Sequence, residues 1–157
     1  MPIHVHHRPS RSIAAAIALV AGLLALGAGL LDGAVTDVAH AKVAVLKVST
    51  AQNATLGKKI VVTSTGRTLY TLSAETNGAF NCRDASCLST WPPLILKAGQ
   101  KAVGVKHLGA IKRPDGRRQA TYRGRPLYRF ASDRKKGDVG GEGFRDVGTW
   151  HAAVAPK

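Results

Sequence analysis

GRTLYTLSAET at residues 66–76 returns in outline as GRPLYRFASDR at residues 124–134, with Gly, Arg, Leu and Tyr at the same places and an acid five residues after the tyrosine. The offset is 58 residues, and downstream Thr90-Trp91 lies over Thr149-Trp150 at an offset of 59. A correspondence held over that distance marks a repeated structural unit. The unit reads as strands. Lys59-Ile60-Val61-Val62-Thr63 is β-branched, breaks at Ser64-Thr65-Gly66 and resumes as Leu69-Tyr70-Thr71-Leu72, the run, turn, run signature of a hairpin. In the second copy Pro114-Asp115-Gly116 is a turn and Gln119-Ala120-Thr121-Tyr122 a short strand. Arg123-Gly124-Arg125 turns again into the strand Leu127-Tyr128-Arg129-Phe130.

Residues 91–96 (WPPLIL) and 148–154 (GTWHAAV) read as the closing strands of the two copies, around Trp91 and Trp150. The prolines limit the first to an edge or a strand start. Residues 43–50 add an N-terminal strand. Seventeen glycines and seven prolines punctuate the chain too often for a long amphipathic period, so no helix is expected after residue 41. The expected fold is all-β, with two related hairpin or meander repeats, about 55–100 and 110–157, packed as a small sandwich or barrel. Because alternate strand residues share a face, Tyr70 and Leu72 point one way and Leu69 the other, as do Tyr128 and Phe130 against Leu127. Strands apolar on both faces belong between two layers.

The N-terminus carries different information. Arg8 and Arg11 precede nineteen uncharged residues, 13–31, and Ala39-His40-Ala41 offers the small-residue pattern of a signal peptidase site. We expect residues 1–41 to be a hydrophobic signal helix removed on export. An uncleaved anchor is the competing reading, since nineteen helical residues reach about 30 Å. Cutting after Ala41 removes two basic and two acidic residues, so the formal net charge of +14 is unchanged. A charge of that sign outside the cytoplasm draws an anionic envelope polymer or lipid headgroups. Trp91, Trp150 and the tyrosines read as core, which disfavours nucleic acid as the partner.

Cys82 and Cys87 are the two cysteines, and in an oxidising compartment they are expected to pair into a local clip. They lack the second pair of a zinc site, so no metal and no cofactor is expected. Asp133, Asp138, Glu142 and Asp146 lie in a Gly-rich stretch, but their spacing matches no EF-hand loop and basic residues are interleaved. His107 and His151 stand alone and no nucleophile motif is present, so the chain does not read as an enzyme.

Taken together, Tyr128-x4-Asp133 with the preceding Gly-Arg-Pro-Leu, Gly140-Gly141-Glu142-Gly143, the closing Gly148-Thr149-Trp150 and the Cys82 to Leu94 stretch resemble a family of secreted-repeat lipoproteins marked by a Tyr-x4-Asp motif. The resemblance covers roughly residues 55–157 and implies a bacterial envelope protein of two tandem repeats, secreted or periplasmic. It supplies no activity. Two departures stand out: the first copy reads Tyr70-x4-Glu75, and the lipid-accepting cysteine is absent. The Tyr/acid corners, Tyr70 with Glu75 and Tyr128 with Asp133, serve packing or hold a ligand. A tyrosine can meet the acid of its own copy only if the chain turns, because five extended residues span about 17 Å. The resulting expectation is a non-catalytic exported protein that contacts anions through its basic surface. The alternative is a small-ligand, haem or metal-binding accessory of an envelope redox system, sited at those corners or in the loop from Asp138 to Asp146.

Overall fold

The computed structural model describes residues 43–76 and 78–156; the expected signal segment, residues 1–41, lies outside them. The chain runs β1 (Val45–Asn53), β2 (Lys58–Thr63), β3 (Tyr70–Leu72), α1 (Ala85–Thr90), β4 (Ile95–Leu96), β5 (Lys101–Val103), β6 (Leu108–Lys112), β7 (Arg118–Tyr122), β8 (Arg125–Pro126) and β9 (Trp150–Ala152). β1 pairs antiparallel with β2 and parallel with β5, β4 and β6 flank β7, and β9 pairs with β3. The all-β expectation holds. The barrel does not form: the strands make several short sheets, because turns end most of them after two to six residues.

The expected turns do their work. Gly66 N–H returns to Thr63 O at 2.9 Å, and Leu69 then donates to Val61 O at 3.0 Å. Gly116 closes the β6–β7 hairpin onto Arg113 O at 2.9 Å. Arg123 and Gly124, with φ of 51° and 76°, form the two-residue loop between β7 and β8, since a loop of that length matches strand twist only with positive φ at both positions.

The two copies interlock instead of packing side by side. Tyr70 and Tyr128 stand opposite each other and exchange both backbone hydrogen bonds at 2.9 Å, which gives the pair a local two-fold axis. Around it the closing segments cross. β9, from the second copy, lies against β3 of the first, with Ala152 opposite Tyr70 and Trp150 opposite Leu72. Pro93 and β4, from the first copy, lie against Tyr128 and β7 of the second. Ala153 N–H to Leu69 O at 2.8 Å mirrors Leu94 N–H to Leu127 O at 2.9 Å. The β1–β2 hairpin of the first copy corresponds to β6–β7 in the second.

The tyrosine strands separate two cores. On one face Tyr70, Leu72, Tyr128, Phe130, Trp91 and Trp150 pack with Ile60 and Val62. On the other, Leu69 and Leu127 join Val48, Val61, Leu94 and Leu96. This is the division that alternation along the strands predicts.

The expected absence of a helix is corrected by α1. Six residues show no periodicity to read; the turn is held by local chemistry instead. The Asp84 carboxylate accepts from Cys87 N–H at 2.9 Å, as an N-cap should, and Trp91 N–H closes onto Cys87 O at 2.7 Å before the two prolines end the helix. Cys82 and Cys87 are bridged, both buried, and tie this turn to the first core. The expected strand at residues 127–130 is also reduced: β8 ends at Pro126, and Tyr128 beyond it makes single bridges to both Tyr70 and Pro93.

Candidate functional site: crossed tyrosine–carboxylate pairs

The four expected corner residues come together, but across the copies. Tyr70 donates its hydroxyl to Asp133 at 2.6 Å, and Tyr128 donates to Glu75 at 2.8 Å. The crossing follows from the backbone: antiparallel pairing of the two tyrosines sends each chain onward toward the other's ring. Both acids are buried, Glu75 fully and Asp133 to 3 % exposure. Their remaining oxygens are satisfied by main chain. Glu75 accepts from Asn81 and Cys82 N–H at 2.8 and 2.9 Å, and Asp133 accepts from Gly140 N–H at 3.0 Å. Gly141 must lack a side chain, since a Cβ there would sit 2.7 Å from the Trp91 ring and 3.0 Å from that of Tyr70.

The environments differ in one respect. Beside Tyr128 lies Arg113, only 3 % exposed, whose guanidinium donates to Gln119 Oε1, to Cys82 O at 3.2 Å and, at 3.4 Å, to the Tyr128 hydroxyl. It also stacks over Phe80 at 5.0 Å. A buried cation next to a buried carboxylate lowers the cost of desolvating both. Nothing in the sequence singled out Arg113 or Gln119: an arginine at the start of an Arg-Pro-Asp-Gly turn reads as solvent-facing. Next to Tyr70, the Arg67 guanidinium binds only the main-chain oxygen of Asp133.

Over the pairs the closing tryptophans stack, ring centres 3.9 Å apart and planes within 9°. Asp146 takes both indole N–H groups, from Trp150 at 2.8 Å and Trp91 at 3.2 Å. The acids of the Gly-rich stretch therefore go to separate tasks. Asp138 caps a turn by accepting from Arg134 and Lys135 N–H at 2.8 and 2.7 Å, and Glu142 binds His151 and Ala152 N–H at 2.9 and 2.7 Å. Among the described residues no group of three or more His, Cys, Asp or Glu is arranged to hold a metal.

The chemistry open to the corners is limited. Burial raises the Tyr70 hydroxyl pKa well above its ordinary value near 10, and the hydrogen bond and charge of Asp133 add to this. Tyr128 moves the same way through burial and the Glu75 charge, with Arg113 opposing. Both hydroxyls thus remain donors at physiological pH. No buried side-chain polar atom lacks a partner among the described residues, so the corners present no open valence to a ligand.

One consequence is alkaline lability. Below pH about 10 both hydroxyls stay protonated in the folded and unfolded chains; above it the unfolded chain releases protons that the folded one retains, so folding loses stability as pH rises. The expected slope is about 1.4 kcal/mol per pH unit for each tyrosine. Urea midpoints at pH 9 and pH 11 check this, and Tyr70→Phe should reduce the slope by one proton's worth. A midpoint that is flat over this range would contradict the assignment.

Fold and site together define a class: a two-copy, disulfide-clipped β module whose repeat motif is consumed in joining the copies. Residues 109–154, covering β6 through β9, match the family model Lipoprotein_15, described as a secreted repeat of unknown function. The second copy is thus similar to a secreted repeat, which supports export of the chain. No curated protein and no solved structure matches it.

Proposed function

We propose that this is a non-catalytic exported envelope protein that holds anionic polymers or lipid headgroups through its basic surface. The observation that carries the reading is the lack of acidic partners around its exposed cations. The ion pairs among the described residues use Arg113, Arg117 and His151, while Arg134, Lys135 and Lys136 are exposed and outside any ion pair. That run is held rigid. Asp138 caps its turn, Gly137 N–H donates to Gly66 O at 3.0 Å, and the Asn53 amide and Thr68 hydroxyl bind Gly137 O and Asp138 O at 2.8 and 2.6 Å. Cations on a pre-ordered turn lose little entropy when an anion binds. The competing accessory-protein reading has less support, because the corners it would use are filled by each other.

The test is titration with dextran sulfate over a salt series. Affinity should fall steeply from low ionic strength to about 0.5 M salt, where the screening length is only a few ångströms. Replacing Arg134, Lys135 and Lys136 by Gln should weaken binding roughly tenfold or more, at about 1 kcal/mol or slightly less per cation. Absence of binding at low salt, or binding indifferent to salt, would overturn the proposal.

A further inference from the structure

Most of the exposed cations are scattered, but on the β1–β5 ribbon they stand beside exposed valines. In the β1–β5 ribbon Val45 stands opposite Lys101 and Lys47 opposite Val103, so these four share one face. That face is turned to solvent: Val43 and Val45 are 52 % and 48 % exposed, and Lys47 and Lys101 are exposed beside them. Its other side, Leu46 and Ala102, packs on the second core.

Next to the ribbon, between β5 and β6, lies a groove of about 250 Å3 with Leu96, Ala102, Leu108 and Ala110 in its lining and Lys101 and Arg118 on it. Arg118 is directly opposite Lys112 across the β6–β7 pair. Like charges at opposed strand positions repel and weaken a sheet, and no acid in the ion pairs of the described residues offsets this pair. An anion placed between them would turn that repulsion into a binding contribution.

We propose that the outer face of the β1–β5 ribbon and the adjoining groove dock on the headgroups of an anionic phospholipid bilayer. The proposal rests on the anion-binding reading above and adds to it one partner, at a face other than the Arg134–Lys136 turn. Lys101, Arg118 and Lys112 meet phosphates, while Val43 and Val45 enter the boundary between headgroups and acyl chains. Cations alone suit a soluble polymer equally well; cations ringed with exposed valines suit an interface that has both charge and an apolar side.

The test uses the full chain with vesicles of equal parts phosphatidylglycerol and phosphatidylcholine, vesicles of phosphatidylcholine alone, and dextran sulfate. Lysine acylation read by mass spectrometry should show Lys47, Lys101 and Lys112 protected on the anionic vesicles only, with Lys58 and Lys59 still reactive. Lys101→Gln with Arg118→Gln should lower affinity for the anionic vesicles roughly thirtyfold, at about 1 kcal/mol per cation near the surface, and change dextran sulfate affinity far less. Protection that is the same on both vesicle types, or that centres on Lys135 and Lys136 while Lys101 stays reactive, would overturn the docking face. Binding to dextran sulfate with no preference for anionic vesicles would sink this inference and leave the broader function standing. Failure to bind either anion would remove both.

Discussion

Residues 109–154 expressed alone, the segment that matches a single secreted repeat, will not fold as a monomer. In the intact chain β9 pairs with β3 of the first copy, Val154 just beyond it bridges Ile60, and β7 has one of its three paired strands there, β4. Cut free, the segment exposes both edges. Trp150 loses the stack with Trp91, the Tyr128 hydroxyl loses its acceptor Glu75, and Arg113 loses Cys82 O. A stretch this short buries too little surface to offset its chain entropy even when all contacts are present. The expected spectrum is that of an unfolded chain, and adding a fragment of residues 43–104 should restore β-structure with one cooperative transition. A monomeric, cooperatively melting 109–154 would show that the crossing of the copies is incidental. Self-association of the fragment through the vacant partner edges is the one folded outcome the geometry permits, and it would be visible as concentration dependence.

Arg113→Met should cost about 3–5 kcal/mol, the range for removing one member of a buried charged network. The substitution keeps side-chain bulk against Phe80, so the loss comes from electrostatics and unmet hydrogen bonds. Gln119 Oε1 and Cys82 O lose their donor, as does the Tyr128 hydroxyl that binds Glu75. Denaturant midpoints measure the effect. Glu75→Gln placed in the Arg113→Met background should return part of the stability, since the charge left behind is then removed; if the double variant is as unstable as the sum of the two singles, the coupling is absent. Asp115→Asn serves as contrast. Asp115 also contacts Arg113, at 3.3 Å, but is solvated, and Arg117, by hydrogen bonding to it, holds its pKa down to about 2, so its loss should cost far less than that of Arg113.

Much of the fold was legible because it is written in short-range terms. The repeat at Tyr70 and Tyr128, the turns at Gly66, Gly116 and Gly124, and the division of Leu69 and Leu127 from the tyrosines all follow from backbone preferences and the two-residue period of a strand. Pairing of Cys82 with Cys87 needs only an oxidising compartment and a separation of five residues. Helix α1 was not legible, since a six-residue turn is made by one cap and one bridge and leaves no periodic trace. β5 and β6 were missed for a related reason: KAV and LGAIK are too short and too mixed in polarity to stand out from loops.

The candidate site was half legible. Tyr70, Glu75, Tyr128 and Asp133 were marked by recurrence, so local sequence determined which residues matter and that each copy would need an acid near its tyrosine. It also determined a strongly basic chain with an apolar run at residues 13–31. Which acid meets which tyrosine, the burial of Arg113, and the placing of Val45 opposite Lys101 and of Lys112 opposite Arg118 were decided by the tertiary structure alone. The physical reason is that a strand's own residues set which way its side chains alternate, whereas its neighbours are set by the lowest-energy closure of distant edges. Here that closure exchanges the last strands of two nearly equal copies, bringing residues more than fifty positions apart into a single hydrogen-bonded core.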